Sequence, residues 1–167
     1  MSGVETLTFA NNRPFAIGSF TLRPFRVRHL AADPVAFSVT LDSKKVGIAS
    51  DLGCVTPSVV DEMSDSNLLF VEANYDEDML VAGSYPEFLK RAIKGDHGHL
   101  SNDDAGKLSS KASTSRTRKV VLVHLSRENN TPDKARNTVK RSLERSKSSS
   151  EIHVAEHGAT SGPFALS

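Results

Sequence analysis

Two short, almost continuous apolar segments constrain the fold of this chain more than any other feature of its sequence. They are Leu68–Ala73 (LLFVEA) and Lys119–Leu125 (KVVLVHL). Apolar runs of this length are typical of strands in a parallel sheet whose two faces are both covered. Each run is followed by a segment whose apolar residues have helical spacing, which indicates repeated strand–helix units.

The pattern before these units indicates antiparallel strands. Apolar residues alternate in Val35–Leu41, and a turn at residues 42–45 leads into a second strand, which together predict a hairpin. Pro57 and Pro132 stand in the first turns of predicted helices, and Gly95 ends another. The predicted strands are Phe20–His29, Val35–Leu41, Lys45–Ser50, Leu68–Ala73, Lys119–Leu125 and Glu151–Ala155; the predicted helices are Thr56–Met63, Tyr85–Lys94 and two that begin at Ser101 and Thr131. This order predicts an α/β fold with mixed strand direction.

Composition excludes several classes of protein. A length of 167 residues suggests one domain. The net charge of +1 argues against a uniformly basic nucleic-acid-binding protein, and the single cysteine excludes an internal disulfide and a zinc site built from cysteines. No apolar run approaches the ~18 residues of a membrane span. Residues 1–11 lack the basic start and apolar centre of a signal peptide, so we expect a cytoplasmic protein with no membrane contact.

The balanced net charge conceals a separation of charge along the chain. Residues 1–106 carry nine basic and 15 acidic side chains, whereas residues 107–147 carry 12 basic and three acidic ones. A basic segment of this size is able to contact the phosphates of nucleic acid, and we take Arg116, Arg118 and Lys119 as the candidate contacts. The alternative is a solvated helix face followed by a mobile loop.

Polar residues with metal-binding capacity collect at the predicted strand ends. Because sites in α/β proteins form at one edge of the sheet, these side chains are candidates for a common site. Histidine and carboxylate are the ligands that Zn²⁺ and Mn²⁺ use when cysteine is absent. A single histidine at a strand end is more often a solvated polar residue, so spacing alone leaves both interpretations open. The residues concerned are His29, Asp51, Glu72, Asn74, Asp76, His97, His99 and His124.

Several segments resemble, in order, the second half of a metallo-β-lactamase-fold hydrolase. They include Val46-Gly-Ile-Ala-Ser-Asp-Leu-Gly53, Leu69-Phe-Val-Glu-Ala-Asn-Tyr-Asp76, Gly98-His-Leu-Ser-Asn102 and Val123-His-Leu-Ser-Arg-Glu-Asn-Asn130. They are most similar to the YycJ/WalJ-like exonuclease subgroup, and more distantly to ribonuclease Z. The resemblance covers about residues 10–156.

The resemblance implies a four-layer αββα sandwich with a dinuclear metal site, of zinc or manganese, that hydrolyses esters and often phosphodiesters. It implies that Asp51 bridges the two metal ions, and that His29 and His124 are further metal ligands. His99 would contact the scissile phosphate or the leaving group. Asn74 and Asp76 would orient the ligands.

One departure from the family pattern shapes the functional hypotheses. The motif H-x-H-x-D-H, which supplies most ligands of the first metal, does not occur in this sequence. We therefore expect an incomplete sandwich that lacks the N-terminal half, with a leader at 1–11, the domain at 12–156 and a tail at 157–167. Three hypotheses follow: a piece of a metal-dependent hydrolase that is inactive alone, one chain of a two-chain or homo-oligomeric hydrolase, or a non-catalytic remnant that binds nucleic acid or protein through residues 107–147.

Overall fold

A computed structural model describes residues 6–166 as a single mixed sheet with helices. The strands and helices alternate in the predicted manner, but two short elements were not predicted: β1, because it has only three residues, and α2, because six residues show no clear period. In chain order the elements are β1 Phe15–Ile17, β2 Phe20–Arg26, β3 Val35–Leu41, β4 Lys44–Ala49, α1 Pro57–Met63, β5 Leu68–Glu72, α2 Glu77–Ala82, α3 Glu87–Lys94, α4 Asn102–Ala112, β6 Lys119–Val123, α5 Pro132–Arg145 and β7 Glu151–Val154.

The seven strands lie in the sheet in the same order as in the chain. Neighbouring strands are antiparallel from β1 to β4 and parallel from β4 to β7. The mixed direction predicted from the sequence is therefore confirmed. Because β4, β5 and β6 run in the same direction, the residues that follow them meet at one edge of the sheet, which we call the carboxyl edge. The opposite end of these strands is the amino edge.

Helices α1, α4 and α5 cover one face of the sheet and form the core with it. Alternate residues of β5 and β6 contribute to this core, including Leu69, Val71 and Leu122, all fully buried. Gly47 of β4 allows α1 to approach closely, since a Cβ at this position would lie 2.8 Å from the sulfur of Met63. The helices begin at side-chain caps as expected: Thr56, Ser101 and Thr131 each accept a hydrogen bond from the backbone three residues later.

The other face of the sheet is apolar and only partly covered. Residues that alternate with the core positions, such as Phe20 and Ile48, are 46% and 37% exposed. The described parts of the two chain ends lie against this face. The ring of Phe9 stacks on Phe15 at 5.2 Å, and the ring of Phe164 lies 6.0 Å from that of Phe70.

The predicted leader and tail lie partly outside the described residues, because residues 1–5 and 167 are excluded. The domain boundaries at residues 12 and 156 stay predictions. Within residues 6–166, no helix combines the length and the apolar character needed to cross a membrane.

Candidate metal centre

Three strands bring their last residues to the centre of the carboxyl edge. Asp51 follows β4, Glu72 is the last residue of β5, and His124 follows β6 directly. Because the three strands are neighbours in parallel register, their ends lie side by side. The local sequence therefore places two carboxylates and one imidazole at adjacent strand ends.

Two further histidines reach the same place from loops. His29 lies in the loop after β2, and its ring Nδ1 is 2.8 Å from the carbonyl oxygen of Gly98. His99 follows Gly98 directly, in the loop between α3 and α4. The loops are tightly interlocked, since a Cβ on Gly53 would lie 2.2 Å from the carbonyl oxygen of Asp96. A side chain at Gly53 would therefore push apart the loops that carry Asp51 and His99.

Glu72 is the buried centre of the cluster and contacts three other groups. Its side chain is fully buried. Oε1 lies 2.6 Å from Nδ1 of His99 and 3.2 Å from Nδ1 of His124. Oε2 accepts a hydrogen bond from the backbone N–H of Leu52 at 2.8 Å. A carboxylate that accepts from Nδ1–H fixes the tautomer of an imidazole and leaves its Nε2 available.

The electrostatic environment keeps Glu72 ionised. Burial by itself would raise the pKa of this carboxyl, but the hydrogen bonds from His124, His99 and Leu52 outweigh it and lower the pKa. The pKa of His124 is raised, because its ring donates to Glu72 and lies near Asp51, although burial opposes this. The cluster is thus a network of opposite charges rather than a set of isolated polar groups.

Asp51 lies between two of the histidines. Its Oδ1 is 3.6 Å from Nε2 of His29 and 3.6 Å from Nδ1 of His124. The side chain is 54% exposed, because the chain leaves the sheet after β4. Asp51 and His124 both have left-handed backbone conformations, with φ of +55° and +58°. Asn12, Asp42, Asp65 and Lys147 have the same conformation in turns, so it does not by itself mark the site.

The donor set fits a metal ion of the zinc or manganese type. One ligand atom each from His29, Asp51 and His99 lies within 4.8 Å of the others, and the same holds for Glu72, His99 and His124. In the second group, the 2.6 Å contact between His99 and Glu72 is a hydrogen bond. Glu72 therefore holds the two imidazoles, while Asp51 lies 3.6 Å from Nε2 of His29. Imidazole and carboxylate are suitable ligands for Zn²⁺ and Mn²⁺.

The structure brings His29, Asp51, His99 and His124 together but gives the two other predicted site residues different surroundings. Asn74 donates from Nδ2 to the backbone oxygen of His124 at 2.9 Å, so it contacts the turn that carries this histidine. Asp76 accepts from the backbone N–H of Met79 at the start of α2, and from Lys134 at 2.9 Å. These contacts make Asp76 a helix cap.

The basic residues Arg116, Arg118 and Lys119 lie at the amino edge, because they precede or begin β6. The Arg116 guanidinium donates to the backbone oxygen of Ser43. Lys119 pairs with Glu151 at 3.2 Å and lies 5.3 Å from the centre of the Phe164 ring. That these three residues contact the phosphates of nucleic acid stays a prediction, and the length of β6 separates them from His124.

Comparison with known proteins defines the family. The sequence model described as "Beta-lactamase superfamily domain" matches residues 2–125. The chain belongs to this superfamily. It is 33% identical over 127 residues to the exodeoxyribonuclease YycJ of Bacillus anthracis, a match that covers 76% of this chain and 48% of that protein. It is 32% identical over 131 residues to the exodeoxyribonuclease WalJ of Streptococcus pneumoniae, with 78% and 49% covered. The chain thus spans about half the length of these relatives.

Solved structures show the same fold. The metallo-β-lactamase-fold protein YhfI of Bacillus subtilis superposes with a TM-score of 0.68 at 21% identity, over 90% of this chain and 52% of that one. Zinc-bound PqqB of Methylobacterium extorquens superposes with a TM-score of 0.62 at 17% identity, over 92% of this chain and 54% of that one. The fold predicted from the resemblance is therefore confirmed, and proteins of this fold bind metal ions.

Proposed function

We propose that this chain forms part of a metal-dependent hydrolase that cleaves phosphodiester bonds in nucleic acid. The observation that carries the proposal is the cluster at the carboxyl edge, where Asp51 lies between His29 and His124 and a buried Glu72 supports two imidazoles. The names of the two exodeoxyribonuclease relatives support nucleic acid as the substrate. A cytoplasmic location is part of the same proposal.

In this proposal His29, Asp51 and His124 hold the metal. A bound zinc or manganese ion would polarise a phosphoryl oxygen and lower the pKa of a coordinated water. Gly98 keeps the proton on Nδ1 of His29, because its carbonyl oxygen accepts from that nitrogen, and this leaves Nε2 directed at Asp51. Asn74 maintains the left-handed turn at His124 through its hydrogen bond to the backbone oxygen.

His99 is the candidate proton donor to the leaving oxygen. Its Nδ1 lies 2.6 Å from the buried carboxylate of Glu72, so Nε2 is the ring nitrogen left to hold the transferred proton. The contact with Glu72 would orient the ring for this transfer. Glu72 acts here as a positioning residue, since its carboxylate is fully buried.

Metal titration of the purified chain tests this assignment. We expect Zn²⁺ or Mn²⁺ to bind, and Asp51→Ala and His124→Ala each to weaken binding at least about tenfold, measured by isothermal titration calorimetry. His153→Gln removes a histidine of β7 outside the cluster and should leave the affinity unchanged. If neither Asp51→Ala nor His124→Ala changes the metal affinity, the assignment of these residues as metal ligands is wrong.

We further infer that the chain alone does not turn over substrate and requires ligands from another segment or chain. Two observations support this: the sequence contains no H-x-H-x-D-H motif, and one face of the sheet exposes apolar residues such as Phe20 and Ile48. A second chain carrying the motif, or a second copy of this chain, would cover that face. Size-exclusion chromatography with light scattering tests the second-copy case, and metal-dependent turnover by the isolated chain contradicts the inference.

A non-catalytic function is the second candidate, supported by the nine net positive charges of residues 107–147. It predicts binding of nucleic acid or protein by a chain that holds no metal. The metal titration separates the two candidates, because Asp51-dependent binding is expected only of the hydrolase.

A further inference from the structure

The loop Ser126–Asn130, which follows His124 at the carboxyl edge, is held in one conformation by its own hydrogen bonds. The hydroxyl oxygen of Ser126 accepts from the backbone N–H groups of Glu128 and Asn129 at 3.3 and 3.1 Å. The N–H of Ser126 donates to the backbone oxygen of Asn74 at 2.8 Å, and the oxygen of Asn129 accepts from the N–H of Asp76 at 2.8 Å. The loop is therefore joined on both sides to the segment that leaves β5.

A buried pair of amides fixes the end of this loop. Asn130 and Asn102 donate to each other's side-chain oxygens at 2.8 and 3.0 Å. The second N–H of the Asn130 amide is shared between the backbone oxygens of Ala73 and Asn74, at 2.8 and 3.1 Å. Both side chains are at least 95% buried, so each of these hydrogen bonds replaces one that water would make. The loop is thereby anchored both to α4 and to the end of β5.

The exposed tip of this anchored loop carries Arg127. Arg127 makes no hydrogen bond or ion pair with any residue in the range 6–166. Its exposed neighbour Glu128 makes no ion pair within this range. Other basic residues at this edge are neutralised: Arg28 pairs with Asp96 at 3.3 Å, and Lys134 with Asp76 at 2.9 Å. A rigid loop that presents one unpaired guanidinium is suited to an anionic ligand, because the planar fork of arginine donates two parallel hydrogen bonds to phosphate.

The position of Arg127 relates this guanidinium to the cluster. It is three residues beyond His124, so their Cα atoms are at most ~11 Å apart. An arginine side chain on this loop is therefore long enough to reach a phosphate that neighbours one held at the cluster. We propose that Arg127 contacts a backbone phosphate of the nucleic-acid substrate beside the phosphodiester at the metal centre. The inference rests on the proposed function and assigns the phosphate contact of that site to the carboxyl edge rather than to Arg116, Arg118 and Lys119.

Binding of single-stranded DNA to the full chain, followed by fluorescence anisotropy of a labelled oligothymidylate in EDTA, tests the proposal without catalysis. We expect Arg127→Ala to weaken binding about three- to tenfold in low salt and to reduce the slope of log K against log salt by about 0.7, the value for one phosphate contact on a single strand. Arg127→Lys should keep the slope, because it keeps the charge. Arg145→Ala removes an exposed arginine from the last turn of α5 and controls for the loss of one charge.

Three results would overturn the proposal: no DNA binding by the unmodified chain, an equal effect of Arg127→Ala and Arg145→Ala, or a larger effect of Arg118→Ala than of Arg127→Ala. Metal titration of the same variants separates this inference from the proposed function. If metal binding depends on Asp51 but DNA binding is unaffected by Arg127→Ala, only the proposed phosphate contact is contradicted. If DNA binding depends on Arg127 but the chain binds no metal, the proposed hydrolase is contradicted and the phosphate contact is supported.

Discussion

The two edges of the sheet differ in whether their charged side chains are buried or exposed. At the carboxyl edge, Glu72 is fully buried among imidazoles, and Asp51 and His124 have left-handed backbones. At the amino edge, Arg116 and Lys119 are partly or fully exposed and contact a backbone oxygen and an exposed carboxylate. Left-handed backbones occur at both edges, since Asp42, Asp65 and Lys147 have φ of +51°, +59° and +58° in the turns before β4, β5 and β7. Buried charge is costly, so the buried carboxylate of Glu72 marks the carboxyl edge as the functional one. Positive charge alone does not mark a functional edge, although the amino edge carries several basic residues.

Replacement of one carboxylate at each edge should show the largest difference. We expect Glu72→Ala to lower the free energy of unfolding by about 3 kcal/mol, because it leaves the buried N–H of Leu52 without an acceptor and removes the partner of two histidines. Glu151→Ala, which removes the exposed partner of Lys119, should cost less than about 1 kcal/mol. Urea denaturation at neutral pH in EDTA measures both values.

Equal effects of the two substitutions would show that the network around Glu72 contributes no more than a surface ion pair. Glu72→Gln is the matched variant, since it keeps an acceptor for Leu52 while removing the charge. Its loss in free energy of unfolding should lie between those of Glu72→Ala and Glu151→Ala.

The strands that form the site were predictable from sequence, whereas its central residue was not recognised. The continuous apolar runs identify β5 and β6, and the alternation of β3 identifies its boundaries as observed. Glu72 was noted as a polar residue at a strand end but was not chosen as a site residue, because no spacing motif distinguishes a buried supporting carboxylate from a solvated one. The sequence feature that indicates it is a carboxylate inside an apolar strand, because a buried charge requires hydrogen-bond or ionic partners.

The distance of the basic segment from the metal centre can be inferred from the order of residues along β6. Arg116, Arg118 and Lys119 precede or begin β6 and His124 follows it, so a single strand already separates them in sequence. What sequence does not encode locally is which basic residues have partners. The pairing of Lys134 with Asp76 joins residues 58 positions apart and depends on the fold.

The amide pair at the carboxyl edge should have the next largest effect. We expect Asn130→Ala to lower the free energy of unfolding by about 2 kcal/mol, because it leaves the oxygen of Ala73 and the side-chain amide of Asn102 without partners and removes one of the two donors to the oxygen of Asn74. Combined with Asn102→Ala, the loss should be less than the sum of the single losses by about 1 kcal/mol. Additive losses in urea denaturation would show that the two amides act independently.

The tail on the open face should have a smaller and local effect. Phe164 packs edge-on against Phe70 and His153 and lies over Lys119. Phe164→Ala should therefore lower the free energy of unfolding by about 1 kcal/mol, the usual contribution of a partly exposed aromatic contact. Metal affinity should be unchanged, because the carboxyl edge makes none of these contacts. A drop in metal affinity with Phe164→Ala would show that the two edges are coupled.

The smallest expected effect concerns Cys54, a third kind of metal-competent group near the carboxyl edge. Burial raises the pKa of its thiol, although the Arg28 guanidinium opposes this. Less thiolate is therefore present at pH 8 than in a solvated cysteine, and alkylation by iodoacetamide in EDTA should be slower by about threefold or more. The chain unfolded in urea provides the reference, since the same thiol is then solvated. In the folded protein the rate should continue to rise at higher pH than in the unfolded one. Equal rates and coincident pH profiles would show that Cys54 is as reactive as a solvated thiol.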